Sequence, residues 1–261
     1  GALIIARQVH SAAGQQYAAL AIAGKVPSVS STMEEYNGSV WTNAGTLITG
    51  KCYGGGAGTQ NAGLAFGGSP ASNTCTEHYN GTSWTVGGAM NTPMNKGNCG
   101  AGLEDAALAA FEDCTEEYNG ESWSTGPALP DDKARGTTTG TQTAAVVMDG
   151  LGGSSDDVAL HYDGSGWSTG GTSLHNKYDL ASSAGLQSAA LKFGGATFET
   201  CTEVYNADYT TTGSFGRIEA GYVLGNAEDI KGQIPRDAGL VTSSAQLADD
   251  ISGSFDEGFN F

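Results

Sequence analysis

Positive charge is what this sequence has least of: 11 lysines and arginines stand against 28 aspartates and glutamates, a formal net charge of −17 over 261 residues. Nucleic-acid affinity rests on cations that neutralise phosphates, so a chain this acidic, with its cations scattered, is no phosphate-backbone binder. The same balance disfavours docking on anionic lipid. No run approaches the roughly 20 apolar residues of a membrane-spanning helix; Ala18 to Ala23 is among the longest. Proline is scarce at 6 residues, and the 41 glycines do not fall at every third position, which excludes a collagen-like chain. Five cysteines are an odd number, far below the density of a disulfide scaffold, and no spacing suggests zinc. Against these absences stand 8 Phe, 4 Trp and 10 Tyr within a 39% hydrophobic composition, which suffices for a packed core.

The chain repeats itself. Glu34-Glu-Tyr-Asn-Gly-Ser-Val-Trp41 recurs as Glu77-His-Tyr-Asn-Gly-Thr-Ser-Trp84, Glu116-Glu-Tyr-Asn-Gly-Glu-Ser-Trp123 and, more weakly, Leu160-His-Tyr-Asp-Gly-Ser-Gly-Trp167, with a degraded fifth copy around Tyr205. The marker residues are therefore Tyr36 and Trp41, Tyr79 and Trp84, Tyr118 and Trp123, Tyr162 and Trp167, and Tyr205. Each copy follows a second motif, Gly-x-Gln-x-Ala-Ala-Leu in idealised form, at Gly14–Leu20, Gly58–Leu64, Gly102–Leu108, Gly140–Val146 and Gly185–Leu191. Each unit reads as four short strands. Asn-Gly between β-prone runs predicts a tight type I′ turn before each Trp, and paired glycines such as Gly67-Gly68 close the small-residue strand. Four strands per period of roughly 40 to 50 residues is a β-propeller blade. The sequence thus predicts an all-β, five-bladed propeller over residues 1–213 and a non-repeat C-terminal connector over 214–261.

The repeat resembles kelch-like propellers in its Gly-Gly pair, its Tyr before a turn and its following Trp, over about residues 2 to 213. It departs from them in the short Tyr-to-Trp spacing and in the missing Gly-Gly of units three and four. A closer resemblance is to virion structural proteins of tailed phages, the marine cyanophage type in particular, whose Gly- and Ala-rich arrays are similar in style; Leu240–Gln246 and Ile251–Phe259 are similar to segments of such fibre-like chains. The resemblance implies a non-enzymatic virion protein on the particle surface, a tail fibre or adhesin component that presents its propeller to a host-surface glycan or protein and contacts other virion proteins. A capsid or neck decoration protein is the near alternative, and a cellular kelch-type interaction module the alternative of another class. Fibre-like chains oligomerise through their ends, so Leu247, Ile251, Phe255, Phe259 and Phe261 are the expected homo-oligomer contacts.

Candidate chemistry mostly dissolves into the repeat. Gly166-Trp-Ser168-Thr-Gly170 matches a hydrolase nucleophile pattern, but Ser168 occupies the repeat position of Thr42, Thr85 and Ser124. His78 and His161 share the position before Tyr, which marks them as repeat residues. No catalytic residue, cofactor or metal site is expected. One cation per unit, Arg7, Lys51, Lys96, Arg135 and Lys177, is expected to pair with Glu34, Glu77, Glu116 and Glu203 between neighbouring blades, because a buried charge left unpaired is heavily penalised. Blade four has Leu160 at the Glu position, so its cation should be exposed or paired elsewhere. Recognition belongs on the variable loops of a rigid repeat, with Lys25, Pro27, Pro70, Asn73, Asp156, Asp157 and Phe198 as the expected contacts.

Overall fold

The computed structural model describes residues 1–70, 74–95, 97, 100–152, 157–174, 181–195, 202–206 and 214–218. The chain divides into two compact units, Gly1–Gly216 and Arg217–Phe261. The connector residues Leu247, Ile251, Phe255, Phe259 and Phe261 lie outside the described residues.

The fold is a five-bladed β-propeller, each blade a four-stranded antiparallel sheet. Blade one comprises Ser11–Gln15, Ala18–Ile22, Met33–Tyr36 and Trp41–Asn43; blade two comprises Gly55–Thr59, Ala62–Phe66, Thr76–Tyr79 and Trp84–Val86. Blade three comprises Gly100–Gly102, Ala107–Phe111, Cys114–Tyr118 and Trp123–Thr125; blade four comprises Thr137–Thr141, Ala144–Met148, Val158–Tyr162 and Trp167–Thr172. Blade five comprises Ser182–Leu186, Ala189–Phe193, Thr202–Asn206 and Ser214–Ile218, so its outer strand lies just beyond the last repeat residue. Among the described residues the four strands of each blade are consecutive in the chain, and none is exchanged between the first blade and the last. The five inner strands line a central channel of about 110 Å³ through Ser11, Gly56, Gly100, Thr137, Ser182 and their neighbours. Small residues are required there: a Cβ on Gly100 would stand 2.8 Å from the Phe66 ring.

Two local expectations change. The turns before Trp are four-residue loops, with Tyr36 paired to Trp41, Tyr79 to Trp84, Tyr118 to Trp123 and Tyr162 to Trp167. Only the glycine takes a positive φ (90° at Gly38), while the Asn37 carboxamide oxygen accepts from the N–H groups of Ser39 and Val40 at 3.0 Å. The position needs a side-chain acceptor rather than a left-handed residue, which is why Asp163 substitutes in blade four with the same bonds from Ser165 and Gly166. Blades three and four also keep four paired strands without their Gly-Gly pairs, with Glu112 and Asp149 adopting the positive φ themselves (54° and 57°); blade four carries a register shift between Val158 and Leu160.

Candidate functional site: the seams between blades

Strand alternation gives each blade two faces, and the repeat residues of one blade are completed by the next. Leu20, Ile22 and Met33 of blade one pack on Ala65, Tyr79 and Trp84 of blade two; Leu64 and Phe66 of blade two pack on Ala107, Ala109, Tyr118 and Trp123 of blade three. Three polar links cross these seams. The Tyr79 hydroxyl donates to Glu35 at 2.6 Å and Tyr162 to Glu117 at 2.7 Å, while Tyr118 meets His78 at 2.7 Å and Tyr205 meets His161. The residue before each repeat Tyr is thus the hydrogen-bond partner of the following blade's Tyr. Burial pushes the phenols of Tyr79 and Tyr162 upward, and the adjoining carboxylates add to this.

The second link is the motif glutamine. At the tip of the first hairpin, Gln60 donates to the carbonyls of Ala19 and Tyr36, Gln142 to Ala107 and Tyr118, and Gln187 to Ala145 and Tyr162. The third is the indole N–H, from Trp123 to Thr76 and from Trp167 to Thr115. Trp84 has Met33 in the threonine's place, and its Nε1 has no acceptor.

Among the described residues two of the expected ion pairs form, and they lie within units rather than between them. Arg7 bonds Glu34 at 2.8 Å and Lys51 lies 3.2 Å from Glu77, all four side chains buried. Each carboxylate also accepts two N–H groups of the segment entering its own blade: Ile4 and Ile5 on Glu34, Ile48 and Thr49 on Glu77, Asn91 and Thr92 on Glu116. Burial alone would raise the Glu34 carboxyl, yet Arg7 and these N–H groups hold it below the usual carboxylate value. In blade four the series member is Lys133, not Arg135. Lys133 is fully buried and finds Asp131 at 3.4 Å where Leu160 replaces the glutamate, whereas Arg135 takes the positive-φ position of Val9 and Tyr53. Lys96 and Lys177 lie outside the described residues.

The seam between blades four and five holds a charged cluster that sequence reasoning missed. Lys192, opposite Glu203 in the strand register, is fully buried at 2.9 Å from Asp149 of blade four and 3.5 Å from Glu203; Ser173 bridges Lys192 and Asp149 at 2.8 Å on each side. Burial pushes the Asp149 carboxyl up, and Lys192 and Ser173 offset this only partly. A carboxyl with a raised folded pKa stabilises the fold below its unfolded value and loses that contribution as pH rises through the folded value. Asp149→Asn should therefore gain melting temperature relative to the parent chain between pH 3 and pH 7, and a difference constant with pH would contradict this.

One seam breaks the repeat. Glu104 stands where Gln60, Gln142 and Gln187 clamp the other seams, and it pairs with His78 Nδ1 instead. Glu104, His78 and Tyr118 form an array beside a cleft of about 700 Å³, lined also by Asn61, Asn80 and Glu121. Gly87 makes room for it, since a Cβ there would lie 2.6 Å from the His78 ring. The sequence signal was available as the one Glu among the motif glutamines. Glu104→Gln should restore the clamp to the carbonyls of Gly63 and Tyr79 and stabilise the chain by about 1 kcal/mol; thermal melts check it.

The cleft lies at the Asn-Gly turn end, and none of the expected loop contacts lines it. Pro27 is the exposed apex of a small ribbon pairing Lys25–Val26 with Ser28–Val29, and the Lys25 ammonium lies 5.1 Å over the Tyr53 ring. Pro70 is exposed and Asp157 half-buried; Asn73, Asp156 and Phe198 lie outside the described residues. Cys52 is a buried thiol outside any disulfide, Cys75 and Cys114 are half-buried thiols, and burial with Asp113 raises Cys114 to about 11. Ser168 is exposed on a strand, without the strand-turn-helix context a nucleophile elbow needs.

Fold and seams together define a repeat protein of the five-bladed β-propeller class, one of whose seams carries an acidic cleft. No known protein-family model matches the chain, and no curated protein matches it.

Proposed function

We propose that this chain is a non-enzymatic, kelch-like structural component of a tailed-phage particle, a tail fibre or adhesin part that presents the propeller to a host surface. The observation that carries the reading is the paired repeat, Gly-x-Gln-x-Ala-Ala-Leu followed by Glu-x-Tyr-Asn-Gly-x-x-Trp, in the style of such virion arrays. The way polar side chains are used supports it. Most of the titratable repeat residues that an enzyme could recruit are engaged in seams, and His78 spends one ring nitrogen on Glu104 and the other on the buried Tyr118 hydroxyl. The Glu104 cleft and the variable loops are then the recognition surfaces of a rigid scaffold. Mass spectrometry of purified virions should find the chain in the particle; its absence from every particle would sink the reading.

A further inference from the structure

In the completed seams one face of a blade is hidden by its successor. Leu20, Leu64, Leu108 and Val146, and two residues on Ile22, Phe66 and Met148, are fully buried in this way. Blade five repeats the face with Leu191 and Phe193, yet these are 41% and 40% exposed, and Leu186 beside them is 60% exposed. The blade-one residues that would complete a fifth seam are unengaged. Gln16 is exposed, and among the described residues neither its side chain nor the Tyr36 hydroxyl makes a hydrogen bond.

Blade five also differs in chemistry. The residue before the repeat Tyr is Glu35, His78, Glu117 and His161 in turn, and then Val204. Valine removes the acceptor of the Tyr link. A blade-one face laid here, from the same or another chain, would bury the Tyr36 hydroxyl against an apolar side chain, which costs an unmade hydrogen bond. Leu186, Leu191, Phe193 and Val204 share one face by register, and Lys192 and Glu203 of the same strands point the other way, into the seam with blade four. Among the described side chains this face carries no charge, whereas its equivalents in blades one and three carry Glu35 and Glu117. In a chain of net charge −17, an uncharged apolar face is where two copies approach with least repulsion. An apolar antiparallel face packs on another sheet as in a sandwich.

We propose that the uncovered face of blade five is a self-association surface, on which blade five of a second copy packs about a two-fold axis. It is the repeat equivalent of four internal interfaces, altered at Val204 to suit an apolar partner. Light scattering or sedimentation of the full chain should give a two-chain mass at tens of micromolar. Leu191→Glu and, separately, Val204→Glu should each weaken association at least tenfold. Val204→Glu keeps the fold testable, because glutamate already occupies that position in blades one and three. A one-chain mass for the parent at all concentrations would overturn the proposal. So would a two-chain mass that survives both substitutions, which would place the contact elsewhere, the C-terminal aromatic residues included. A one-chain mass in which Leu191→Cys resists maleimide would assign the cover to another part of the same chain, and overturns it as well.

Discussion

Glu77→Ala should lower stability by about 3–5 kcal/mol, the range for removing one partner of a buried ion pair, and the melting temperature by roughly 10 °C for a domain of this size. The carboxylate is fully buried and has three tasks: it accepts Ile48 N–H at 2.7 Å and Thr49 N–H at 3.2 Å, and it neutralises Lys51. Truncation leaves two N–H groups and an ammonium in the interior, with only the Ala65 carbonyl, 3.5 Å from Lys51, as a remaining acceptor. Glu77→Gln keeps an acceptor and should cost about half as much. Blade four supplies a control, since Leu160 occupies the glutamate position there. The double substitution Lys51→Met with Glu77→Leu should recover part of the loss, because no charge is then stranded. Denaturant unfolding of the three variants checks the order; a neutral Glu77→Ala would mean that water reaches the pocket and the pair contributes nothing.

Lys192→Met should be comparably harmful, again about 3–5 kcal/mol, because it removes the buried cation that two buried carboxylates, Asp149 and Glu203, share. Asp149 already has one carboxylate oxygen without a partner. The loss should ease at low pH as Asp149 protonates, consistent with the direction in which burial moves it. The neighbouring seam offers an apolar template: Ala110, Leu129, Val147 and Leu160 pack there, with Leu129 matching Ser173, Val147 matching Lys192 and Leu160 matching Glu203. Copying its leucines and valine as Ser173→Leu, Lys192→Val and Glu203→Leu, with Asp149→Gly after Gly67 and Gly194 at the same positive-φ position of blades two and five, should restore or exceed the parent's stability, since well-packed apolar replacements of buried ion clusters are often neutral or better. A quadruple variant as unstable as Lys192→Met would show that the cluster sets the blade geometry rather than filling space.

The blade count, the strand count per blade and the anchoring role of each Tyr and Trp were legible because a repeat states the same local instruction five times, and chance does not keep two motifs in phase. The glutamates were legible as buried charges needing cations. Their partners were misread in direction, because Arg7 and Lys51 precede their own blade and the chain folds back so that Glu34 and Glu77 receive them within the unit. Lys133 was passed over for Arg135 because spacing alone does not say which of two cations, two residues apart, turns inward. The role of Gln60, Gln142 and Gln187 was invisible for a different reason: their acceptors are backbone carbonyls of the previous blade, and carbonyls carry no sequence signature. The Glu104–His78–Tyr118 array was missed although its members were in view, since its geometry joins two different motif positions across a seam.

By itself the sequence determined what is periodic: strand alternation, glycines at positive φ, small residues at the axis and a Tyr–Trp pair in each of the first four blades, all properties of a residue and its near neighbours. Tertiary structure decided what happens where one unit meets another. Which carboxylate takes which cation, whether an indole finds a threonine, and whether Leu191 and Phe193 are covered as Leu64 and Phe66 are, depend on side chains some 25 to 50 residues apart in the chain. The scarcity of cations takes its meaning at that level. Arg7, Lys51, Lys133 and Lys192, four of the eleven cations, are spent inside the propeller against acids of its own blades.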